Sequence, residues 1–141
     1  MGEPTTVWMP GGVKTEIHLR SEDTGGAFCL LRDELPPGWE LPPHRHRHEA
    51  ETMHVLEGEM AVTVNGRESL VRAGETVQVP AGALHCGRNA GAGPLRRVVL
   101  FSPGGMERFF LEAGAASPEA VDPGVALDSA LRHGWEFPAA S

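Results

Sequence analysis

The amino-acid sequence predicts an all-β fold, a sandwich or jelly-roll β-barrel of short antiparallel strands, followed by two short C-terminal helices. Between residues 13 and 101, apolar and polar side chains alternate in short segments, which is the pattern of half-buried strands. Turn-forming residues are abundant, with 18 glycines and 12 prolines among 141 residues. Strands separated by such turns at regular spacing are typical of sandwiches and jelly rolls.

The individual strands follow one another at short intervals. Alternation predicts them over residues 13–20, 27–35, 52–56, 60–64, 67–71, 76–79 and 95–101. A further strand, which carries His44 and His46, should begin near Pro42-Pro43, because proline cannot donate a ladder hydrogen bond. The dipeptide Asn65-Gly66 predicts a tight hairpin, since both residues tolerate the positive φ of a type I′ turn. We expect the first ten residues and the last few to be loosely held.

The period of the apolar residues changes after the last predicted strand. Ser102 can cap a first helix, which should end at Gly114. A second helix is predicted over residues 123–133, with Gly134 as its C-terminal stop. Its apolar surface should come from Val121, Val125, Leu127 and Leu131. Residues 135–137 are then expected to fold back onto the barrel as a cover.

Composition and charge exclude several classes of function. The net charge of −7 argues against nucleic acids and anionic membrane surfaces as partners. No apolar stretch approaches the roughly 20 residues of a membrane span, and the N-terminus lacks the basic start and apolar run of a signal peptide. The two cysteines form no CxxC pair, so nothing demands a disulfide and a cytoplasmic location is expected.

Two sequence blocks place four potential metal ligands at fixed spacings. The first block has the pattern G-x5-H-x-H-x4-E-x6-G and contains His44, His46 and Glu51; the second has the pattern G-x5-P-x-G-x2-H-x3-N and contains His85. His44 and His46 share one face of a strand, roughly 6.7 Å apart along the chain. Two imidazoles at that distance can converge on one ion about 2 Å from each nitrogen. Glu51 and His85 could complete the shell from neighbouring strands.

Both blocks resemble the two signature motifs of the cupin superfamily. The resemblance implies a cupin jelly-roll barrel in which His44, His46, Glu51 and His85 hold a metal ion. Residues 22–26 and 102–110 are also similar to the small single-domain cupins often labelled quercetin 2,3-dioxygenase-like. We therefore expect a single cupin domain over residues 1–141, with its barrel core at about 13–101 and a helical cover at 102–137.

Other polar residues near the blocks have competing interpretations. The gap from Glu51 to Gly58 sets the register in favour of His44 and His46, so His48 is expected at the rim. His54 alternates with its apolar neighbours and should point outward. One of Arg96 and Arg97 must face inward, where it could hold an anionic substrate or form a salt bridge at the rim.

Three functional hypotheses remain open at this point. Three imidazoles and one carboxylate suit one divalent ion per chain, namely Fe, Mn, Ni, Cu or Zn, with one or two positions left open. The first hypothesis is an oxidoreductase of the dioxygenase type that acts on a small oxygen-chelating molecule, in which the resemblance to cupin dioxygenases implies that Glu51 doubles as a base. The second is a Lewis-acid isomerase or lyase. The third is a non-catalytic barrel that binds a small molecule or metal, or senses one.

The edge strands of a jelly roll carry unpaired backbone groups that another chain can cover, so they indicate how the protein assembles. Small cupins usually solve this by pairing, often by exchange of an N-terminal strand. Residues 13–19, apolar on one face, are the best candidate for such an interface. We therefore expect a homodimer, which light scattering at micromolar concentration can test.

Overall fold

A computed structural model describes residues 2–138 and confirms the jelly-roll fold with two short helices. In chain order the strands are β1 Thr5–Met9, β2 Val13–Leu19, β3 Cys29–Leu35, β4 Glu40–His46, β5 Ala50–Glu57, β6 Glu59–Val64, β7 Arg67–Arg72, β8 Thr76–Val79, β9 His85–Asn89 and β10 Leu95–Ser102. Helices α1 Glu107–Ala113 and α2 Pro123–Arg132 follow, and a short strand, β11 Trp135–Glu136, comes last.

The strands form two antiparallel sheets that face each other across the core. One sheet has the order β1-β2-β3-β10-β5-β8, and the other has the order β11-β4-β9-β6-β7. Consecutive strands β4 and β5 therefore lie in different sheets, as jelly-roll topology requires. Side chains that alternate inward from both sheets fill the space between them with buried aliphatic, methionine and aromatic residues. The arrangement brings the inward faces of β4, β5 and β9 together at one end of the barrel.

Two glycine positions explain local features of the barrel. Asn65 and Gly66 adopt φ values of 48° and 84°, which confirms the tight turn predicted between β6 and β7. Gly58, the last residue of the first motif, has φ of 88°. A Cβ atom there would lie 2.7 Å from the carbonyl oxygen of Pro94. The motif therefore needs glycine at this position for both conformation and space.

The N-terminal segment is a strand, and the expectation that it would be loose is wrong for the part that the structure describes. Strand β1 pairs with β2 from Thr5 to Met9, and Trp8 exchanges two backbone hydrogen bonds with Ala115, of 2.8 and 2.9 Å. Val7 and Met9 are buried. Five residues with only two inward apolar side chains are too short a pattern to reveal this strand in the sequence.

The metal-bearing strand begins earlier than predicted. Strand β4 starts at Glu40, so that Pro42 and Pro43 lie inside it. Its ladder with β9 passes from the pair Leu41↔Gly87 directly to His44↔His85, with a register shift between them. The prolines therefore occupy an irregular stretch where no ladder hydrogen bond is required of them.

The first helix begins later than predicted, because Ser102 does not cap it. The Ser102 hydroxyl donates instead to the carbonyl oxygen of Ala27, at 2.9 Å. The Glu107 carboxylate accepts hydrogen bonds from the backbone nitrogens of Ser21 and Gly105, each at 2.8 Å. These contacts tie the residues before α1 to the loop between β2 and β3, so the helix starts at Glu107.

The second helix forms as expected but presents a different face to the protein. Asp122 caps it by accepting hydrogen bonds from two backbone nitrogens in its first turn, and Gly134 follows its end with φ of 84°. The buried side chains are small, namely Ala126, Ser129 and Ala130. The predicted packing residues Val125, Leu127 and Leu131 are instead 48%, 51% and 54% exposed. The face of α2 that packs on the protein is therefore made of small side chains, and its larger apolar side chains lie on the exposed face.

The expected homodimer remains a prediction, and the position of β2 in its sheet shows what a strand exchange would require. Strand β2 lies between β1 and β3 of its own chain, and Val13 and Ile17 are buried there. If residues 13–19 were exchanged between two chains, β2 would therefore have to give up its pairing with both β1 and β3 of its own chain.

No helix among residues 2–138 has the length and apolar character needed to cross a lipid bilayer.

Candidate metal centre

Four side chains from three strands converge at one end of the barrel. They are the four predicted ligands: His44 and His46 on β4, Glu51 on β5 and His85 on β9. One potential ligand atom from each lies within 4.8 Å of those of the other three, and all four residues are buried. The ladder pair His44↔His85 joins two of them across neighbouring strands. The fold thus assembles the group that the two motifs predicted.

Backbone carbonyl groups orient two of the imidazoles. The Nδ1 atom of His44 lies 2.9 Å from the carbonyl oxygen of Pro42, and the Nδ1 atom of His85 lies 3.0 Å from that of Ala83. Because a carbonyl oxygen only accepts, each Nδ1 carries the proton. The Nε2 lone pairs are then left for the cluster, which is the tautomer a metal-binding histidine needs.

The Glu51 carboxylate lies at the centre of the remaining contacts. Its Oε1 atom is 3.3 Å from Nε2 of His46 and 3.3 Å from Nε2 of His85. Burial alone would raise the pKa of Glu51, but its contacts with His46 and His85 lower it well below its usual range. Burial would likewise lower the pKa of His85, whereas the contact with Glu51 raises it. A cation is needed between these groups, either a proton or a metal ion.

The donor set fits a divalent metal ion. A proton at this centre can bind one nitrogen atom at a time, whereas potential ligand atoms from three imidazoles and one carboxylate lie within 4.8 Å of one another. Burial and the nearby His85 lower the pKa of His44 to about 4, so this imidazole is neutral at pH 7. Metal binding requires neutral imidazoles and an ionised carboxylate, and the neutral His44 and the ionised Glu51 meet this requirement.

Glu49 is a buried acid near the cluster that the sequence motifs do not single out. It is 8% exposed, and its Oε1 atom has no hydrogen-bond partner among the described residues. The Nδ1 atom of His46 is also buried without a partner there. Burial raises the pKa of Glu49, while the neighbouring His46 and His48 act in the opposite direction. In the sequence, Glu49 lies between His46 and Glu51, at a position where the first motif accepts any residue. Only this position could have indicated it.

An aromatic wall closes one side of the cluster. The Trp135 ring stacks on His44 at a centroid distance of 4.6 Å and meets His46 edge-on at the same distance. Strand β11 holds Trp135 by pairing it with His46, and the Trp135 indole donates to the Met106 sulfur at 3.4 Å. The expected cover from residues 135–137 is therefore present, and it contacts the ligands directly.

A cavity of about 340 Å³ leads from the cluster into the barrel. Its walls are mainly aliphatic, aromatic and methionine side chains from both sheets and from α2. Arg97 lines it and pairs with Asp33 through two hydrogen bonds of 3.0 and 2.6 Å. Arg97 is thus the inward member of the predicted arginine pair. Arg96 is outside, where it forms ion pairs with Glu34 and Glu57.

The other two histidines near the motifs lie outside the cluster. His48 is exposed, as expected for a rim residue. His54 points to the outer face of β5, where its Nδ1 atom lies 2.8 Å from the hydroxyl oxygen of Thr76. Neither belongs to the group of converging ligand atoms.

The metal-free protein is expected to lose stability as the pH falls from about 6.5 to about 4. Over this window the unfolded chain protonates the imidazole of His44, whereas burial keeps it neutral in the folded state down to about pH 4. Unfolding therefore takes up a proton, and acid favours it by about 3 kcal/mol across the window. Urea unfolding of chelator-treated protein at several pH values measures this slope. A His44→Gln variant should flatten the slope, and an equally steep slope in that variant would contradict the assignment.

Fold and site together define a jelly-roll barrel domain with a candidate metal centre. The sequence model of the family described as "Cupin domain" matches residues 31–101. The chain belongs to the cupin family.

Three known proteins illustrate the range of its relatives. The chain is 31% identical over 98 residues to quercetin 2,3-dioxygenase of Bacillus subtilis, an alignment that covers 70% of this chain and 29% of that protein. It is 37% identical over 75 residues to the mannose-1-phosphate guanylyltransferase ManC of Salmonella typhimurium, which covers 53% of this chain and 16% of the relative. Its fold matches the crystal structure of a predicted oxalate decarboxylase from Thermotoga maritima with a TM-score of 0.63 and 26% identity, over 72% of this chain and 92% of the other. The chain thus spans less than a third of the first two proteins.

Proposed function

We propose that this cupin is a metal-dependent oxidoreductase of the dioxygenase type, acting on a small molecule that chelates the metal through oxygen atoms. The observation that carries the proposal is the convergence of three imidazoles and one carboxylate beside a cavity of about 340 Å³. Similarity to quercetin 2,3-dioxygenase over 70% of the chain supports this choice of reaction.

Different residues of the chain would bind the metal ion, exclude water and accept the substrate's proton. His44, His46, Glu51 and His85 would hold one divalent ion, which supplies a Lewis acid and, in the case of Fe, Mn, Ni or Cu, a redox centre. The aliphatic and aromatic walls exclude water from the reacting groups. Glu51 is the only carboxylate within the cluster, and a base must lie within hydrogen-bond reach of the proton it takes. We assign to Glu51 the removal of the substrate's hydroxyl proton.

The proposal places the reaction in the cytoplasm. Cys29 is buried and Cys86 is half-buried, and both are free thiols. Burial raises the pKa of the Cys29 thiol to about 12, so this group stays protonated and unreactive. Two cysteines that are not joined in a disulfide suit a reducing compartment.

Oxygen uptake by the Fe(II)-loaded protein is the direct test. Addition of nitric oxide under anaerobic conditions should give an iron–nitrosyl spectrum if a coordination position is open. Quercetin and smaller enols or catechols should then cause oxygen consumption. An absent nitrosyl signal together with no oxygen uptake from any of these substrates would exclude the dioxygenase and leave a Lewis-acid isomerase, a lyase or a binding barrel.

The role of Glu51 is tested by a Glu51→Gln variant. We expect turnover to be lost while most of the metal remains bound, because three imidazoles still hold the ion and glutamine cannot take a proton. Metal content and oxygen uptake, measured on the same preparation, separate the two effects. If activity falls only in proportion to bound metal, Glu51 acts as a ligand alone.

A further inference from the structure

We propose that the cavity selects a substrate that binds the metal as a monoanion and offers a second, uncharged oxygen acceptor to Arg97. The inference rests on the proposed metal-binding role of the cluster and deepens it by naming the class of substrate. It does not require that the chemistry be oxidative.

One donor atom of Arg97 has only weak hydrogen-bond acceptors among the described residues. Its Nε and Nη2 atoms bind the two carboxylate oxygens of Asp33. Among residues 2–138, its Nη1 atom has only the sulfur atoms of Met53 and Met60 as acceptors, at 3.2 and 3.4 Å. Thioether sulfur is a weak acceptor, and a buried guanidinium binds oxygen more strongly. An oxygen atom in the cavity would therefore be a better partner for Nη1.

The surroundings of Arg97 hold this donor in place. The guanidinium lies over the Trp39 ring, 5.3 Å from its centroid, and the residue is 7% exposed. The two bonds to Asp33 fix its plane. A buried donor with a fixed direction can distinguish an acceptor oxygen from a methyl group, because a methyl group leaves the donor with sulfur alone.

Arg97 and the candidate metal centre lie at different places along the same cavity. On β10, Phe101 pairs with Glu51, whereas Arg97 pairs with Val55. Four residues of strand separate the two positions, which is roughly 13 Å between backbones. Both Arg97 and Glu51 line the cavity, so one small molecule can lie between them.

The charge of the cavity limits the charge of what enters it. Asp33, Glu51 and Arg97 are the only acidic or basic residues that line it, apart from the three histidines, among the described residues. Two carboxylates and one guanidinium leave one negative charge, and a divalent ion changes this to one positive charge. A monoanion at the metal neutralises the cavity. A second anionic group would have no free counter-charge, because Asp33 already neutralises Arg97.

Three hydroxypyranones that differ at one substituent test the inference. Allomaltol, kojic acid and comenic acid share the same chelating hydroxyketone and carry a methyl, a hydroxymethyl and a carboxylate group, respectively, at the same ring position. We would titrate each into Zn(II)-loaded protein and divide its affinity by its affinity for Zn(II) in water. Kojic acid should bind about tenfold more tightly than allomaltol, because its hydroxyl oxygen accepts a hydrogen bond from a charged donor. Comenic acid should bind more weakly than kojic acid.

A variant pair assigns the preference to Arg97. The double variant Arg97→Gln/Asp33→Asn removes both charges and keeps the net charge of the cavity, and it should bind kojic acid and allomaltol equally. Arg96→Gln removes the neighbouring arginine, which lies outside the cavity and pairs with Glu34 and Glu57, so it should preserve the preference. Any of four results would overturn the inference. In the wild type these are equal binding of kojic acid and allomaltol, tightest binding of comenic acid, and no binding of any probe. In the double variant it is an unchanged preference for kojic acid.

The wild-type ranking stands as a test even if the double variant does not fold. Because zinc does not react with oxygen, the ranking is independent of turnover. A protein with the expected ranking and no oxygen uptake would retain this inference and lose the dioxygenase proposal. A protein that consumes oxygen but binds the probes equally would retain the dioxygenase proposal and lose this inference.

Discussion

Replacement of His85 by alanine is expected to lower the affinity of the chain for a divalent ion by about two to three orders of magnitude. Four-ligand zinc sites bind with about 10–16 kcal/mol, so one ligand accounts for about 2.5–4 kcal/mol. The loss should exceed that average slightly, since Glu51 also loses one of its two histidine contacts. Competition against a colorimetric chelator, with Zn(II) as the metal, measures the change.

His54→Ala is the matched control for this loss. His54 lies on β5, the strand that also carries Glu51, yet its imidazole contacts Thr76 on the outer face of the barrel. The variant should bind Zn(II) as tightly as the wild type. If the two variants lose affinity equally, or if neither does, the four converging residues do not form the metal site.

Arg97→Met is expected to destabilise the protein by about 3–5 kcal/mol, because it leaves the carboxylate of Asp33 buried without a counter-charge. The side chains of Arg97 and Asp33 are 9% and 10% exposed, so water can replace little of the lost interaction. Burial alone would lower the pKa of Arg97, but Asp33 raises it, which keeps the guanidinium charged throughout the range where the protein is folded. Urea unfolding at neutral pH measures the loss.

The double variant Arg97→Met/Asp33→Leu tests the origin of that loss. Replacement of a buried ion pair by apolar side chains of similar size is often neutral. The second change should therefore recover most of the stability that the first removes. Additive losses in the double variant would mean that the packing of Arg97 against Trp39 and the methionines, and not its charge, stabilises the barrel.

The sequence predicts the barrel and the ligand cluster well, because both depend on local rules. Side chains that alternate along a strand place His44 and His46 on one face, and the spacing to Gly58 sets the register of Glu51. The turn at Asn65-Gly66 follows from backbone sterics alone. Each of these features needs only a few neighbouring residues to be recognised.

The features that the sequence did not reveal depend on more than the pattern of one segment. Strand β1 pairs with β2 from Thr5 to Met9, and Trp8 also bridges to Ala115, more than a hundred residues away along the chain. On α2 the small residues Ala126, Ser129 and Ala130 are buried although larger apolar residues are available, a choice that the apolar pattern of the helix does not predict. The choice of Arg97 over Arg96 could have been made from the sequence, because buried residues alternate along β10 without interruption at Leu95, Arg97, Val99 and Phe101.

Trp135 lies beyond residue 101, where the match to the cupin family ends, yet its ring rests on two of the four candidate ligands. The barrel motifs supply the ligands, while the chain after the barrel supplies part of their aromatic surroundings. Two cupins with the same four ligands can therefore differ in what reaches the metal if their C-terminal segments differ. Evolution could change the specificity of such a domain by altering its tail alone, without touching a barrel strand. Comparisons confined to the barrel would then group together proteins that act on different molecules.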